Sequence, residues 1–268
     1  SRKKRLMYHE HFKLKRQPFS EHAAANSLWI DDRMNEGLAR LAYLVEGGSL
    51  GLVTGPTGVG KSALLKRFLS DLPQRCEAAY CHLTHLRSSG VLKSLVVQLG
   101  EVPRLGKDRL FEQILSAARR VEGTLLVVMD EAHLLDGEAL TDLRLLISSA
   151  VDVAPPLKLL LVGQHTLRAT LKRSQHADLL NRINVHYQLR ALSKEGTGRY
   201  LDIQMHQAGG AEDVFDAEVK GLIHDFTGGV PRQINNLATA CLRAAAASGV
   251  LRIDTTLFQR TVSEFQLT

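Results

Sequence analysis

The sequence predicts an α/β protein: a parallel sheet flanked by helices, followed by a small all-helical region. Three observations predict it. Short apolar runs alternate with helical patterns between residues 34 and 192. Two of those runs, Leu125–Met129 and Leu157–Val162, are almost uninterrupted, as strands covered on both faces are. From Ser193 onward apolar residues recur only at helical spacing, over 194–208, 216–226, 231–247 and 255–265. At 268 residues and 44% hydrophobic, the chain can bury one large core or a core plus a small second domain. The expected organisation is an N-terminal strap (1–33), an α/β core (34–192) and a helical lid (193–268).

The strap holds Phe12, Leu14, Pro18, Phe19, Leu28 and Trp29 among polar residues, too irregularly for a long helix. Asp31-Asp32 is a helix-start signal, 34–46 carries Leu38, Leu41, Ala42 and Val45 on one face, and Gly47-Gly48 is a stop. Residues 49–54 read as a buried strand. A glycine-rich turn follows, then Leu64, Leu65, Phe68, Leu69 and Leu72 at helical spacing up to the break at Pro73. Next come a strand at 78–83, a polar loop at 84–90, a helix around 91–99, a loop at 102–107 and an amphipathic helix at 108–121. The strand at 125–130 leads to a helix at 138–150, then Pro155-Pro156, then the strand at 157–162. A basic stretch with Arg168, Lys172, Arg173 and His176 precedes a fifth strand at 185–189. In the all-helical region Asp216 and Pro231 are start signals and Gly249 a stop.

The glycine-rich turn is Gly55-Pro56-Thr57-Gly58-Val59-Gly60-Lys61-Ser62, followed by Ala63. It matches G-x-x-x-x-G-K-[ST] between a strand and a helix, the context a phosphate-binding loop requires. The glycines let backbone amides approach a phosphate, and the helix N-terminus faces the anion. Lys61 reaches β- and γ-phosphates, and the Ser62 hydroxyl is a ligand for Mg²⁺. The strand at 125–130 ends in Asp130-Glu131. That pairing suits a carboxylate holding a magnesium-bound water (Asp130) beside one that orients the attacking water (Glu131). The strand at 157–162 ends at Gly163-Gln164. Gln164 reads either as a polar sensor between phosphate and water or as a cap of the next turn. Pro18-Phe19 reads either as packing near the adenine or as core. The expected cofactors are ATP and Mg²⁺.

The formal charge of +6 is compatible with a polyanionic partner besides the nucleotide. Three cysteines do not make a disulfide framework and suit a reducing cytoplasm. Cys76, Cys81, His82 and His85 are zinc-ligand residue types, but neighbours such as Cys81 and His82 face opposite ways on a strand. No apolar run approaches the roughly 18 residues of a membrane span, and no signal-peptide apolar region follows Arg2–Arg5.

The phosphate loop, Asp130-Glu131, Gln164, Arg182 and Gly229-Val230-Pro231-Arg232 stand in the order found in AAA+ ATPases, and from Met7 onward the chain resembles that family. The opening Met7-Tyr8, Phe12, Pro18-Phe19 looks like the ExeA/GspA type. The compact size and the stretch 179–192 look like transposition regulators of the TnsC, TniB and IstB kind. The resemblance implies an ATPase that forms rings or helical filaments of itself, with ATP at subunit interfaces. Arg182, with Arg173 as substitute, looks like the arginine finger, and Arg232 like the second sensor. A glutamine at 164 is a modest departure from the family's usual sensor. Regulators of this kind assemble on duplex DNA and recruit a transposase and a target selector. Their DNA-contacting loops match those carrying Arg87, Lys93, Arg104 and Lys107 here. The ExeA/GspA resemblance implies instead a secretion ATPase.

Overall fold

The computed structural model describes residues 8–20, 25, 28–83, 88–149 and 157–265. His85, Arg87, Pro155-Pro156 and the basic start at Arg2–Arg5 lie outside the described residues. Five parallel strands form one sheet in the order β2-β3-β4-β1-β5: β1 (Leu50–Thr54), β2 (Cys76–His82), β3 (Thr124–Asp130), β4 (Leu157–Gly163) and β5 (Ile183–Gln188). The central strands β1 and β4 are buried at every position, and β3 at all but its first, which is why their sequences are almost wholly apolar, Lys158 being the exception inside β4. The edge strands β2 and β5 mix buried and exposed residues. β2 begins at Cys76, ahead of the expected Ala78. Glu77 pairs with Leu125 through the backbone but leaves its side chain exposed, so no apolar pattern joins the buried Cys76 to the expected strand.

The chain divides into two compact units. One comprises 30–57 and 61–189. Its helices are α1 (Asp32–Glu46), α2 (Lys61–Ser70), α3 (Ser88–Gln98), α4 (Lys107–Arg120), α5 (Gly137–Ser149), α6 (His165–Leu171) and α7 (Ala177–Leu180). Asp31 caps α1, its Oδ1 accepting from Met34 N at 2.9 Å. At the other end of α1 the Lys158 ammonium, inside the buried run of β4, donates to Leu44 O at 2.9 Å and to Val45 O. A cation on these last carbonyls satisfies acceptors that the helix leaves over. Burial pushes the Lys158 pKa down. α6 overlaps the basic stretch and α7 follows it; at seven and four residues they are too short to give a repeating amphipathic pattern.

The other unit comprises 1–29, 190–268 and the turn 58–60. It holds α8 (Lys194–Gln207), α9 (Ala217–Thr227), α10 (Pro231–Ser248) and α11 (Thr255–Phe265). Tyr8, Phe12 and Phe19 are buried in its core with Leu201, Met205, Phe215 and Ile234, and the Phe19 ring meets Phe215 edge-on with centroids 6.1 Å apart. The strap's aromatics are therefore core residues of the helical unit. Cys241 is buried there, and Cys76 and Cys81 are buried in the sheet unit.

Gly51 shows how tightly α1 meets the sheet. A Cβ there would lie 2.6 Å from Leu44 Cδ2 and 3.1 Å from Leu160 Cδ1. Gly51→Ala overpacks this contact, with an expected cost of about 1–3 kcal/mol. A lowered denaturant midpoint for the sheet unit checks it; an unchanged midpoint shows that the packing yields.

Candidate nucleotide-binding site

Parallel pairing carries every strand's C-terminal end to one edge of the sheet. Thr54 is in register with Gly163, Met129 with Leu161 and His82 with Asp130. Neighbouring strands lie about 4.8 Å apart, so the loop after β1, Gln164 after β4 and Asp130-Glu131 at the end of β3 fall within roughly 10 Å of one another. Gly55 N donates to Gly163 O at 3.2 Å and joins the loop to the end of β4.

Gly58 and Gly60 have φ of +78° and +112°, conformations that side chains resist. The Lys61 ammonium donates to Gly55 O at 2.9 Å and Pro56 O at 3.0 Å, across the turn. Lys61 is buried, Ser62 is exposed in the first turn of α2, and Ala63 is half-buried behind it. Thr57 is exposed at the turn, whereas Val59 is buried and anchors it. In the sequence Val59 is only an apolar residue between two glycines, with no periodicity to mark its burial.

Asp130 is 2% exposed, and such a carboxylate needs donors. Tyr80 Oη donates to its Oδ2 at 2.7 Å and Glu131 N to its Oδ1 at 2.9 Å; His82 Nδ1 lies 3.5 Å from Oδ2. Burial, reinforced by the bond to Asp130, raises the Tyr80 pKa. Sequence reasoning missed Tyr80; its in-register neighbour on β3 is Val128, two residues before the acid, which the strand pattern alone does not reveal. Glu131 follows in a left-handed conformation, φ 58° and ψ 33°, which non-glycine residues adopt at a cost and mostly at special sites. Neither acid caps α5: Asp136 does, accepting from Ala139 N at 2.7 Å.

Gln164 precedes α6 as its N-cap, but its side chain makes no capping bond. The cap alternative is therefore not realised. Arg182 sits in the turn before β5, half-buried, and makes no hydrogen bond or ion pair through its side chain among the described residues. Arg173 is exposed just beyond α6. In the helical unit Arg232 occupies the first turn of α10, and its amide donates to Gly58 O at 3.2 Å. The preceding Gly229 is forced to be glycine: φ is +72°, and a Cβ would lie 2.1 Å from Leu192 O.

The expected DNA-contacting cations divide. Lys93 on α3 and Arg104 in the loop before α4 are exposed, and neither is in a salt bridge among the described residues. Lys107 is not the free loop cation expected. It opens α4, and its ammonium lies 2.7 Å from Asp142 and 3.0 Å from Glu138. The bond to Asp142 raises its pKa. Cys76 and Cys81 are buried on β2 while the His82 side chain is exposed, and no group of three metal-ligating residues forms among the described residues.

A buried, doubly bonded carboxylate beside a lysine-closed glycine turn is an arrangement that fits a nucleotide phosphate and its cation. Residues 45–171 match the protein family described as "AAA domain". Over that span, just under half of its length, the chain is similar to an AAA domain. Its five-stranded parallel sheet with flanking helices is the P-loop AAA fold, with a helical C-terminal region. General secretion pathway protein A of Aeromonas hydrophila is 33% identical over 258 residues, which cover 92% of this chain and 46% of that protein. The chain thus spans about half the length of this curated relative. Among solved structures, the Aeropyrum pernix ORC2 protein, in ADPNP–ADP complexes, aligns at TM-score 0.70 and 19% identity over 94% of this chain and 72% of its own. Cdc6p from Pyrobaculum aerophilum aligns at 0.70 and 17% over 92% and 70%. The A. pernix ORC1 protein in complex with DNA aligns at 0.70 and 16%, over 94% and 70%. These likenesses are of fold.

Tyr80→Phe removes one of two close donors to the buried Asp130 carboxylate. The expected loss is about 1–3 kcal/mol of stability. Comparing its denaturation with that of a Tyr80→Phe/Asp130→Asn protein checks the cause, since the loss should shrink once the charge is gone.

Proposed function

We propose that this chain binds ATP with Mg²⁺ and hydrolyses it. The observation that carries the reading is the convergence, on one sheet edge, of the lysine-closed turn, Asp130 and Glu131. Gly55 to Ala63 would hold the phosphates, with Lys61 moving its ammonium from two backbone carbonyls to phosphate oxygens. Ser62 and, through water, Asp130 would hold Mg²⁺, which supplies charge neutralisation when bound. Glu131 serves as the base for the attacking water, Gln164 senses the phosphate end, and Arg232 acts as the second sensor. Arg182, carrying a guanidinium with no partner in its own described chain, is the finger offered to a neighbouring copy. Lys61→Ala should abolish nucleotide binding, whereas Glu131→Gln should bind ATP and lower turnover by about 10²-fold or more. Arg182→Ala should lower turnover alone and regain part of it when mixed with Lys61→Ala protein in assemblies shown to be mixed. Unchanged hydrolysis by the Glu131→Gln protein would overturn the catalytic assignment.

The work done with ATP is proposed to be assembly on duplex DNA in transposition, with a transposase and a target selector as partners. The +6 charge, the exposed Lys93 and Arg104, and a fold shared with a protein solved in complex with DNA support this reading. A second reading, a secretion ATPase of the General secretion pathway protein A kind, is favoured by the 33% identity. No helix among the described residues is long and apolar enough to cross a membrane. Because Lys107 is engaged by carboxylates, Lys93 and Arg104 are the pair to test. ATP-analogue-dependent anisotropy of labelled duplex should fall steeply with salt. A Lys93→Ala/Arg104→Ala protein should bind more weakly, and its log–log salt slope should flatten by roughly 0.9 for each DNA phosphate it no longer neutralises. Absence of ATP-dependent binding even at low salt favours the secretion reading.

A further inference from the structure

His133 closes the sequence Asp130-Glu131-Ala132-His133 at the end of β3. Its side chain is 13% exposed, and its Nδ1 is a buried nitrogen without a well-aligned hydrogen-bond partner. Glu131 Oε2 lies 3.3 Å from that nitrogen. A buried ring N–H without an acceptor is costly, so this carboxylate is drawn to it.

The ring's position is fixed from several sides. Ala132–Leu134 form a single 3₁₀ turn closed by Leu134 N donating to Glu131 O at 2.9 Å and Leu135 N to Ala132 O at 3.2 Å. Ala132 is fully buried. A Cβ on Gly163 would lie 3.0 Å from His133 N and 3.4 Å from its Nδ1, so the histidine lies against the end of β4, next to Gln164. Glu131 itself is held left-handed, with its amide on Asp130. Backbone and ring together leave the glutamate little freedom but one: the torsions of its side chain.

We propose that His133 is the positioning residue for Glu131. Its ring N–H at Nδ1 donates to Oε2 and selects one orientation of the carboxylate, leaving Oε1 to accept a proton from the attacking water. This inference rests on the ATP-hydrolysis reading. It assigns His133 no contact with substrate.

The test uses three substitutions and steady-state kinetics. His133→Leu keeps the packing and removes the donor; turnover should fall by about 10- to 100-fold, the scale of a misplaced group, with KM and nucleotide affinity held within about twofold. His133→Asn puts an amide N–H near the place of Nδ1 and should recover most of the turnover. His133→Gln puts its amide nearer the place of Nε2 and should not. Wild-type turnover in His133→Leu, or equal loss in Asn and Gln proteins, overturns the proposal. If the Leu protein fails to fold, the Asn–Gln contrast still decides. Failure of the wild-type protein to hydrolyse ATP would sink the ATPase reading itself. An active wild type, a dead Glu131→Gln protein and active His133 variants would sink this inference alone.

Discussion

The candidate site depends first on parallel strand pairing. Because β1, β3 and β4 all run the same way, their ends lie side by side, and short turns from three distant parts of the sequence meet without any long excursion of the chain. Antiparallel insertion of one strand would send its terminal residues to the opposite edge. The apolar runs that build β1, β3 and β4 therefore also determine which residues can share a ligand.

That edge is not apolar, and its polar groups need internal partners. Asp130 is held by Tyr80 and by the amide of Glu131, Lys61 is held by the carbonyls of its own turn, and the Glu131 carboxylate lies 3.3 Å from His133 Nδ1. Each link joins a loop residue to a rigid neighbour. Such pre-ordering lets groups on turns act with the precision of groups on strands.

The sheet unit was legible because buried strands and helices leave periodic traces, and because the phosphate loop has a spacing with few other uses. The order of strands was not written in any period; it is decided by crossover connections and packing. The start of β2 slipped where Glu77 joins the strand through its backbone alone. The candidate acids and loop residues could be named from motif, but Tyr80 and His133 could not. Their roles come from neighbours across strands or turns, which a linear pattern does not display. The same holds for Lys107, whose charge was obvious and whose two carboxylate partners, on α5, were not. The strap's aromatics were read as irregular because they serve a core formed by helices some 200 residues later in the chain.

The three cysteines, Cys76, Cys81 and Cys241, are all free and buried. Burial raises each thiol's pKa, that of Cys241 to about 12. Since the thiolate is the reacting species, alkylating reagents meet almost none of it in the folded protein. The native chain is thus chemically quiet towards maleimides. A single cysteine engineered on the exposed surface, for example at Lys93 or Arg173, would take a fluorophore or spin label alone, without the native thiols first being removed from the cores they help to fill.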